Sequence, residues 1–230
     1  MTLYIDVLTM HKRISSAADG GRVEDYLTTI YRLEEALGIA RTTDISRELG
    51  VTPATASKVI KKLEEKNLVK RVRYKYVTLT DDGRKLAEQI IRKHRISEVF
   101  LVKILGFNDV EAHMYAHYLE HLPDVVIERA FEVIGKPSMC PHGNPIPGVE
   151  RYKEELETLS TADIHQKCVV QRIAGEFVNI LTYLHSLGIR IGSSITITRR
   201  GQRYVFVELE NGSSIELPIY IARYIYVKCF

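Results

Sequence analysis

No run of about 18 apolar residues occurs in the 230-residue chain, so no membrane span is expected. The opening residues, MTLYIDVLTMHKR, lack the basic-then-apolar order of a secretory signal. Cysteine is scarce: Cys140, Cys168 and Cys229 are far apart and odd in number. That argues against a disulfide framework or a Cys-rich zinc site, and for a reducing cytoplasm. Charge of one sign is barely in excess, 32 Lys and Arg against 29 Asp and Glu, a net +3. Nucleic-acid binding would therefore have to come from local clustering of cations. The length allows two or three small domains.

Histidine is what the chain concentrates. HMYAHYLEH places His113, His117 and His121 every four residues, with Glu120 beside the last. On a helix this spacing predicts one stripe of three imidazoles and a carboxylate. Upstream, KHRISEVF sets His94 and Glu98 at i, i+4 on another expected helix. Imidazole with carboxylate is a ligand set for a divalent transition metal. The bland alternative is a polar helix face that happens to carry histidines. A sharper rival is local: His117 to His121 is H-x-x-E-H, the inverted zinc-protease motif, with Glu120 as general base.

Before this stripe the chain reads as a DNA-binding module. Val23–Leu37 has a helical apolar stripe of Val23, Leu27, Ile30, Tyr31 and Leu37, and Asp25 early in it complements the helix N-terminus. Thr43-Asp44 are expected to cap a short helix with Ile45 and Leu49 inside, ended by Gly50. Thr52 with Pro53 should start a second helix burying Val59, Ile60 and Leu63. Two short helices about a Gly turn, the second basic, read as helix-turn-helix. Thr52, Pro53, Ala54, Thr55, Ser57 and Lys58 fall where base edges would be read. Leu68–Thr80 alternates apolar and basic residues as two strands of a wing. Lys58, Lys61, Lys62, Lys66, Lys70, Arg71, Arg73 and Lys75 face only Glu64 and Glu65, and Lys61, Lys62, Arg71, Arg73 and Lys75 are assigned to phosphate contact. A merely solvated charged hairpin is the alternative.

Asp81 or Asp82 should cap a long helix to about Leu105, Asp109 the helix with the His stripe, and Pro123-Asp124 a further helix with Val126, Ile127, Ala130, Phe131 and Ile134 inside. KPSMCPHGNPIPG, at 136–148, is too rich in Pro and Gly for regular structure. One or two helical turns are expected within Glu150–Leu159. From His165 onward come short β runs, interrupted by one helix at Glu176–Leu187, which suggest a small barrel. The expected fold is mainly α with a C-terminal β part. Its parts are an N-terminal extension (1–22), a winged helix-turn-helix domain (23–80), a helical dimerisation and metal-binding domain (81–135), a linker (136–163) and a small β-barrel (164–230).

The order winged helix-turn-helix, KHR-x-x-E, H-x-x-x-H-x-x-E-H, CPHGNPIPG and small barrel resembles the diphtheria-toxin-repressor family of metal-dependent transcriptional repressors, over residue 22 to the C-terminus. The resemblance implies a cytoplasmic protein with no membrane partner and no enzymatic activity. It would bind double-stranded operator DNA as a homodimer, with two dimers on one operator as an option, and control metal uptake or homeostasis genes. Two metal sites per chain are implied. The ancillary site takes His94, Glu98 and His113, with Glu176 and Asn179 from the barrel's helix as candidate additions. The primary site takes Asp25, His117, Glu120 and His121. Arg95 and Asn144 match positions that hold an anion in some members; a surface cation and a turn amide are their plain alternative. Iron-type members carry Cys and Met at the positions of His117 and Asp25. Manganese-type members carry Glu and Asp there, with a further Glu where this chain has Thr28.

A primary shell of two imidazoles and two carboxylates suits Fe(II) first and Mn(II) close behind, while Zn(II), Co(II) and Ni(II) would bind in vitro. A metal held by ligands from two domains would set the spacing of two recognition helices, a population shift more than a new DNA contact. A purely structural metal is a third alternative, in which stripping the ion unfolds the chain.

Overall fold

The computed structural model describes residues 23–72, 76–150 and 155–230. The extension 1–22, and the phosphate contacts expected of Arg73 and Lys75, lie outside the described residues. The chain forms two compact units, one ending at Ile91 and the other running from Arg92 to Phe230. Among the described residues no helix is long and apolar enough to cross a membrane.

The first unit opens on helix α1, Val23–Leu37, which buries Tyr26, Leu27, Ile30, Leu33 and Ala36. That face is rotated from the expected stripe, leaving Val23 exposed. Helix α2, Thr42–Glu48, has Arg41 at its N-cap with no side-chain cap, and the expected caps Thr43 and Asp44 fall inside its first turn. There Asp44 accepts a hydrogen bond from Arg47 at 2.5 Å, so its carboxylate is occupied by a side chain. Gly50, with φ +65°, makes the turn. Helix α3, Pro53–Glu65, begins as expected: the Thr52 hydroxyl accepts from Thr55 N at 3.1 Å and Pro53 takes the first position. Strands β1, Val69–Val72, and β2, Tyr76–Leu79, pair antiparallel as the wing. Glu34 of α1 ties the wing down by accepting from the Thr78 hydroxyl at 2.6 Å and from Leu79 N at 3.1 Å.

Helix α4, Asp81–Lys103, stops short of the expected Leu105. Its first turn is held by the Thr80 hydroxyl, which accepts from Gly83 N at 3.1 Å, where Asp81 or Asp82 was the expected cap. Helix α5, Asp109–Leu119, starts one residue after its cap: Asn108 and Glu111 form a reciprocal capping box, displacing Asp109 from that role. Helix α6, Asp124–Val133, packs Ile127 and Phe131, with Ile134, against Ile96 and Val99 of α4 and against Cys140 and Ile146 of the following loop. Ala130 lies at the margin of this core, and Val126, expected inside, is 45% exposed.

The C-terminal part is one antiparallel sheet in the order β3-β8-β4-β5-β6-β7. Its strands are β3, Glu157–Thr158; β4, Lys167–Ile173; β5, Ser194–Arg200; β6, Tyr204–Leu209; β7, Ser214–Pro218; and β8, Ile225–Cys229. β3 stands where helical turns were expected, because Glu157 and Thr158 find partners in Val227 and Tyr226. Helix α7, Val178–Ser186, joins β4 to β5 and packs on α5; a short α8, Ile219–Ala222, precedes β8. Buried and exposed residues alternate along β6, with Val205 and Val207 inside.

The sheet overturns the expectation about cysteine. Cys168 on β4 and Cys229 on β8 are directly opposed, with Cα atoms 4.0 Å apart, and form a disulfide; only Cys140 is free. Distance along the chain misled, because strand pairing closes a separation of 61 residues. On chain-entropy grounds a loop of this length contributes about 4 kcal/mol. Reduction is therefore expected to lower the melting temperature of the sheet to that of a Cys229→Ala variant. Calorimetry with and without dithiothreitol checks this, and identical melting curves would show that the bond carries no stability.

Candidate metal centre

Helix α4 turns His94, Arg95 and Glu98 inward, each with 0% of its surface exposed. Opposite them α5 presents His113, buried, and His117, 22% exposed at its side chain. The expected single helical stripe ends early: α5 stops at Leu119, Glu120 is its C-cap, and His121 lies beyond with 43% of its side chain exposed. The turn brings Glu120 back beneath the rings. Its Oε2 lies 2.6 Å from His94 Nδ1, and its Oε1 3.5 Å from His117 Nδ1 and 3.8 Å from His121 Nε2.

Three atoms form a small triangle. Glu98 Oε1 is 2.7 Å from His113 Nδ1 and 3.2 Å from His94 Nε2, and the two nitrogens are 3.0 Å apart. Neighbouring ligands of a six-coordinate ion with bonds of about 2.1 Å lie about 3 Å apart. The triangle is thus the size of one octahedral face, made of two imidazoles and a carboxylate. His94 offers Nε2 to the face while Nδ1 meets Glu120, the arrangement by which a carboxylate orients a ligating imidazole.

A second group of donors contains two residues not assigned from sequence, Cys140 and His142. Glu98, Cys140, His142 and Glu176, all buried, each offer one ligand atom within 4.8 Å of the others; His94, His113 and His117 form the other such set. The Cys140 thiol donates to Glu176 Oε1 at 3.0 Å, and His142 Nδ1 is 3.3 Å from Glu98 Oε1. Cys140 and His142 sit on the irregular 136–148 loop, which β4 clasps: Ile173 N donates to His142 O at 2.9 Å, and Asn144 Nδ2 donates to Ile173 O at 2.8 Å. The available signal was local, a Cys and a His two residues apart in a Pro- and Gly-rich loop.

Glu176 joins the site, but not as expected. It precedes α7 with φ +53°, whereas Asn179 is on that helix and exposed, so the two do not act as an i, i+3 pair. Neither Arg95 nor Asn144 is a surface group. Arg95 is fully buried and donates to Glu176 Oε1 at 2.9 Å and to Pro145 O. Asn144, also fully buried, accepts from Arg172 Nε at 2.7 Å.

Burial would raise the Glu98 carboxyl, but His142, His94 and His113 outweigh it and hold the group well below the usual carboxylate range. Glu120 follows the same balance, with burial opposed by His117 and His94, and is also held well below that range. Burial pushes His113 well down, so it stands as a neutral imidazole, the form that binds metal. Burial, Glu176 and Glu98 push the Cys140 thiol up. Glu98 Oε2 and His142 Nε2 are buried without a hydrogen-bond partner. Buried polar atoms left so are costly, and a cation beside converging carboxylates and imidazoles answers them. The residues present fit a divalent metal.

In the first unit Asp25 lies in the first turn of α1 as expected. The Thr28 hydroxyl is spent on Glu24 O and Asp25 O, at 3.0 and 3.2 Å. Thr52, Pro53, Ala54 and Lys58 are exposed at the start of α3, with Thr55 and Ser57 half-buried; Lys61 and Lys62 are exposed further along. Arg71 instead folds back, donating to Ser57 O at 2.9 Å and lying 3.4 Å from Glu64.

Three family models match in chain order: the iron-dependent repressor N-terminal DNA-binding domain at residues 20–77, the iron-dependent repressor metal-binding and dimerisation domain at 80–148, and the FeoA domain at 157–229. The diphtheria toxin repressor of Corynebacterium efficiens is 31% identical over 207 residues, covering 84% of this chain and 89% of the relative. Among solved structures, T. acidophilum IdeR is 30% identical with a TM-score of 0.77, covering 90% of this chain and 97% of its own. The manganese regulator SloR is 29% identical, also at 0.77, covering 91% and 99%. The chain belongs to the diphtheria toxin repressor family of metal-dependent transcriptional repressors.

Proposed function

We propose that the protein represses metal uptake or homeostasis genes in the cytoplasm by binding operator DNA as a homodimer once a divalent ion is loaded. The observation that carries this is the buried face of His94, Glu98 and His113, on a chain that also matches the family's dimerisation and DNA-binding domains. The working parts are the winged domain at 23–80, the helical domain at 81–135, the linker at 136–163 and the barrel at 164–230. His117, Glu120 and His121 hold the primary ion, with Asp25 as a further ligand on the strength of the resemblance alone.

When bound, the ion supplies positive charge and fixed ligand geometry. The protein's own groups do the rest: a loaded chain has less to order when two recognition helices meet two half-sites, so affinity rises by a population shift. Imidazole and carboxylate favour Fe(II), with Mn(II) close behind; Zn(II), Co(II) and Ni(II) bind in vitro by intrinsic affinity. Two dimers on one operator extend the same reading. The zinc-peptidase alternative finds no support. The matched relatives are named repressors and regulators, and Glu120, 9% exposed, is clasped by His94 and not open to a substrate.

Anaerobic operator binding, measured with each ion and with chelator, tests the proposal. Fe(II) or Mn(II) should raise affinity at least about tenfold, about 1.4 kcal/mol. Glu120→Ala and His121→Ala should lose that gain while the chain stays folded. Lys61→Ala should weaken binding similarly on all sequences and lower the salt slope by about one unit. Equal binding with and without metal, or activation by physiological zinc alone, would reject the function or the order of metals respectively.

A further inference from the structure

We propose that the outer face of the β5–β6 hairpin, built from Arg199, Arg203, Tyr204, Phe206 and Tyr220, binds single-stranded nucleic acid by stacking on its bases and pairing with its phosphates. This goes beyond operator recognition by the winged domain, and none of that domain's residues takes part.

Val205 and Val207 of β6 are buried, so Tyr204 and Phe206 alternate with them onto the outer face. On β5, Ile195 and Ile197 are buried, and simple alternation would carry Arg199 inward as well. A register shift between Ile197 and Arg199 prevents this. Arg199 pairs with Phe206, and its guanidinium carbon lies 3.9 Å from the centre of the Phe206 ring. Bulges re-aim side chains in this way. Arg200 turns elsewhere and donates to Ala162 O. At the same end of the sheet Tyr204 pairs with Pro218, the Arg203 carbonyl accepts from Ile219 N at 2.8 Å, and α8 follows with Tyr220. Tyr204 is 39% exposed and Tyr220 61%. Burial first, then Tyr220, Tyr204 and Glu216, push the Tyr183 hydroxyl up, so α7 brings a third tyrosine near them.

Charge identifies the ligand. No Asp or Glu occurs between Glu176 and Glu208. Surface arginines elsewhere, such as Arg47, Arg84 and Arg129, pair with carboxylates. Among the described residues Arg199, Arg203 and Arg223 make no such pair. Arg223 follows Tyr220 by three residues, on the same side of the short α8. Against these cations stands Glu216, opposite Phe206 on β7. Exposed tyrosine and arginine also suit a protein partner. Here the arginines lack acids of their own and the rings lie on a sheet face, the arrangement that stacks unpaired bases while arginine meets phosphate. A duplex keeps its base faces inside the stack and would leave the rings unused. Glu208 and Glu210, at the far end of β6, confine the strand to the hairpin end. DNA and RNA single strands share this chemistry.

The test is fluorescence anisotropy of labelled oligo(dT) and oligo(U), each of about ten nucleotides, with the full Mn(II)-loaded chain. Both should bind, with an affinity that falls as salt rises. Tyr204→Ala and Tyr220→Ala should each weaken binding at least about fivefold, the loss of one stacked base, and Tyr204→Phe should keep it. Arg203→Ala should lower the salt slope by about 0.7. Lys167→Ala, beside Glu210, should bind as the wild type does. No oligonucleotide binding by the wild type, or equal binding by the two Tyr→Ala variants, overturns the proposal. So does a loss confined to operator duplex, which would assign the face to DNA flanks, or a change of mass in light scattering, which would assign it to a second copy. Tighter binding of oligo(U) would name RNA through its 2′-hydroxyls, and equal binding would support the shared single-strand chemistry. Operator binding is scored on the same proteins: an absent metal response in the wild type rejects the repressor function without touching this face.

Discussion

A chain carrying both Val126→Asp and Val133→Asp is expected to run as a folded monomer and to lose at least about a hundredfold in operator affinity, about 2.8 kcal/mol. Helix α6 has its inner face filled by Ile127 and Phe131. Its other side leaves Val125 67%, Val126 45% and Val133 66% exposed, and Leu122 just before it 38%. Val126 and Val133 are seven residues apart, so they share one face of the helix. Valines exposed in such number need a cover. The expected cover is a second copy of the chain, because all four residues fall within the match to a metal-binding and dimerisation domain at 80–148. In a twofold interface each substitution counts twice, and every carboxylate would be buried against apolar surface without a partner. Because neither valine is part of the monomer core, secondary structure and ion binding should survive. Light scattering gives the mass, and the operator titration gives the affinity. A variant that stays dimeric would move the interface elsewhere.

The elements easiest to read beforehand were those set by periodicity. α1 runs from Val23 to Leu37 as its apolar spacing predicts, and Thr52 with Pro53 starts α3 where expected. Caps were harder, because neighbouring polar residues compete and the backbone angle decides. Thr80 displaced Asp81, and Asn108 displaced Asp109, by one residue each. The candidate donors were legible where they repeat along helices, as with His94 and Glu98 or His113 and His117. They were hidden where they come from separate segments. Cys140 and His142 lie on a loop with no period, and only packing of that loop beside Glu98 brings them among the candidate donors. Glu176 was expected on a helix with Asn179, but its positive φ and the ion pair with Arg95 carry it inward from before the helix. The Cys168–Cys229 bond was hidden for a related reason, since it depends on the register of β4 against β8.

The loop that supplies Cys140 and His142 leads to the second large effect, in Gly143→Ala. Gly143 has φ +75°, a region an alanine adopts at a cost of about 1–2 kcal/mol. Beyond that strain, a Cβ at this position would lie 2.1 Å from Gln171 O and 3.0 Å from Arg172 Cα. Both are backbone atoms of β4, so no side chain can swing away. The loop must then lift from the strand, giving up the bond from Ile173 N to His142 O and the bonds of Asn144 to Ile173 O and Arg172. Strain, clash and lost bonds together should exceed about 3 kcal/mol. More specifically, Cys140 and His142 should lose their place beside Glu98. In a chain loaded with Co(II), the thiolate-to-cobalt absorption band should disappear at ion concentrations that saturate the wild type, while His94 on α4 and His113 on α5 keep their imidazoles for an ion. Gly135→Ala is the matched control. Its φ of +82° imposes similar backbone strain, but a Cβ there has nothing within 4 Å. It should cost only about 1–2 kcal/mol and keep the band. If Gly143→Ala binds cobalt with the thiolate band intact, close packing of the loop on β4 is not what positions Cys140 and His142.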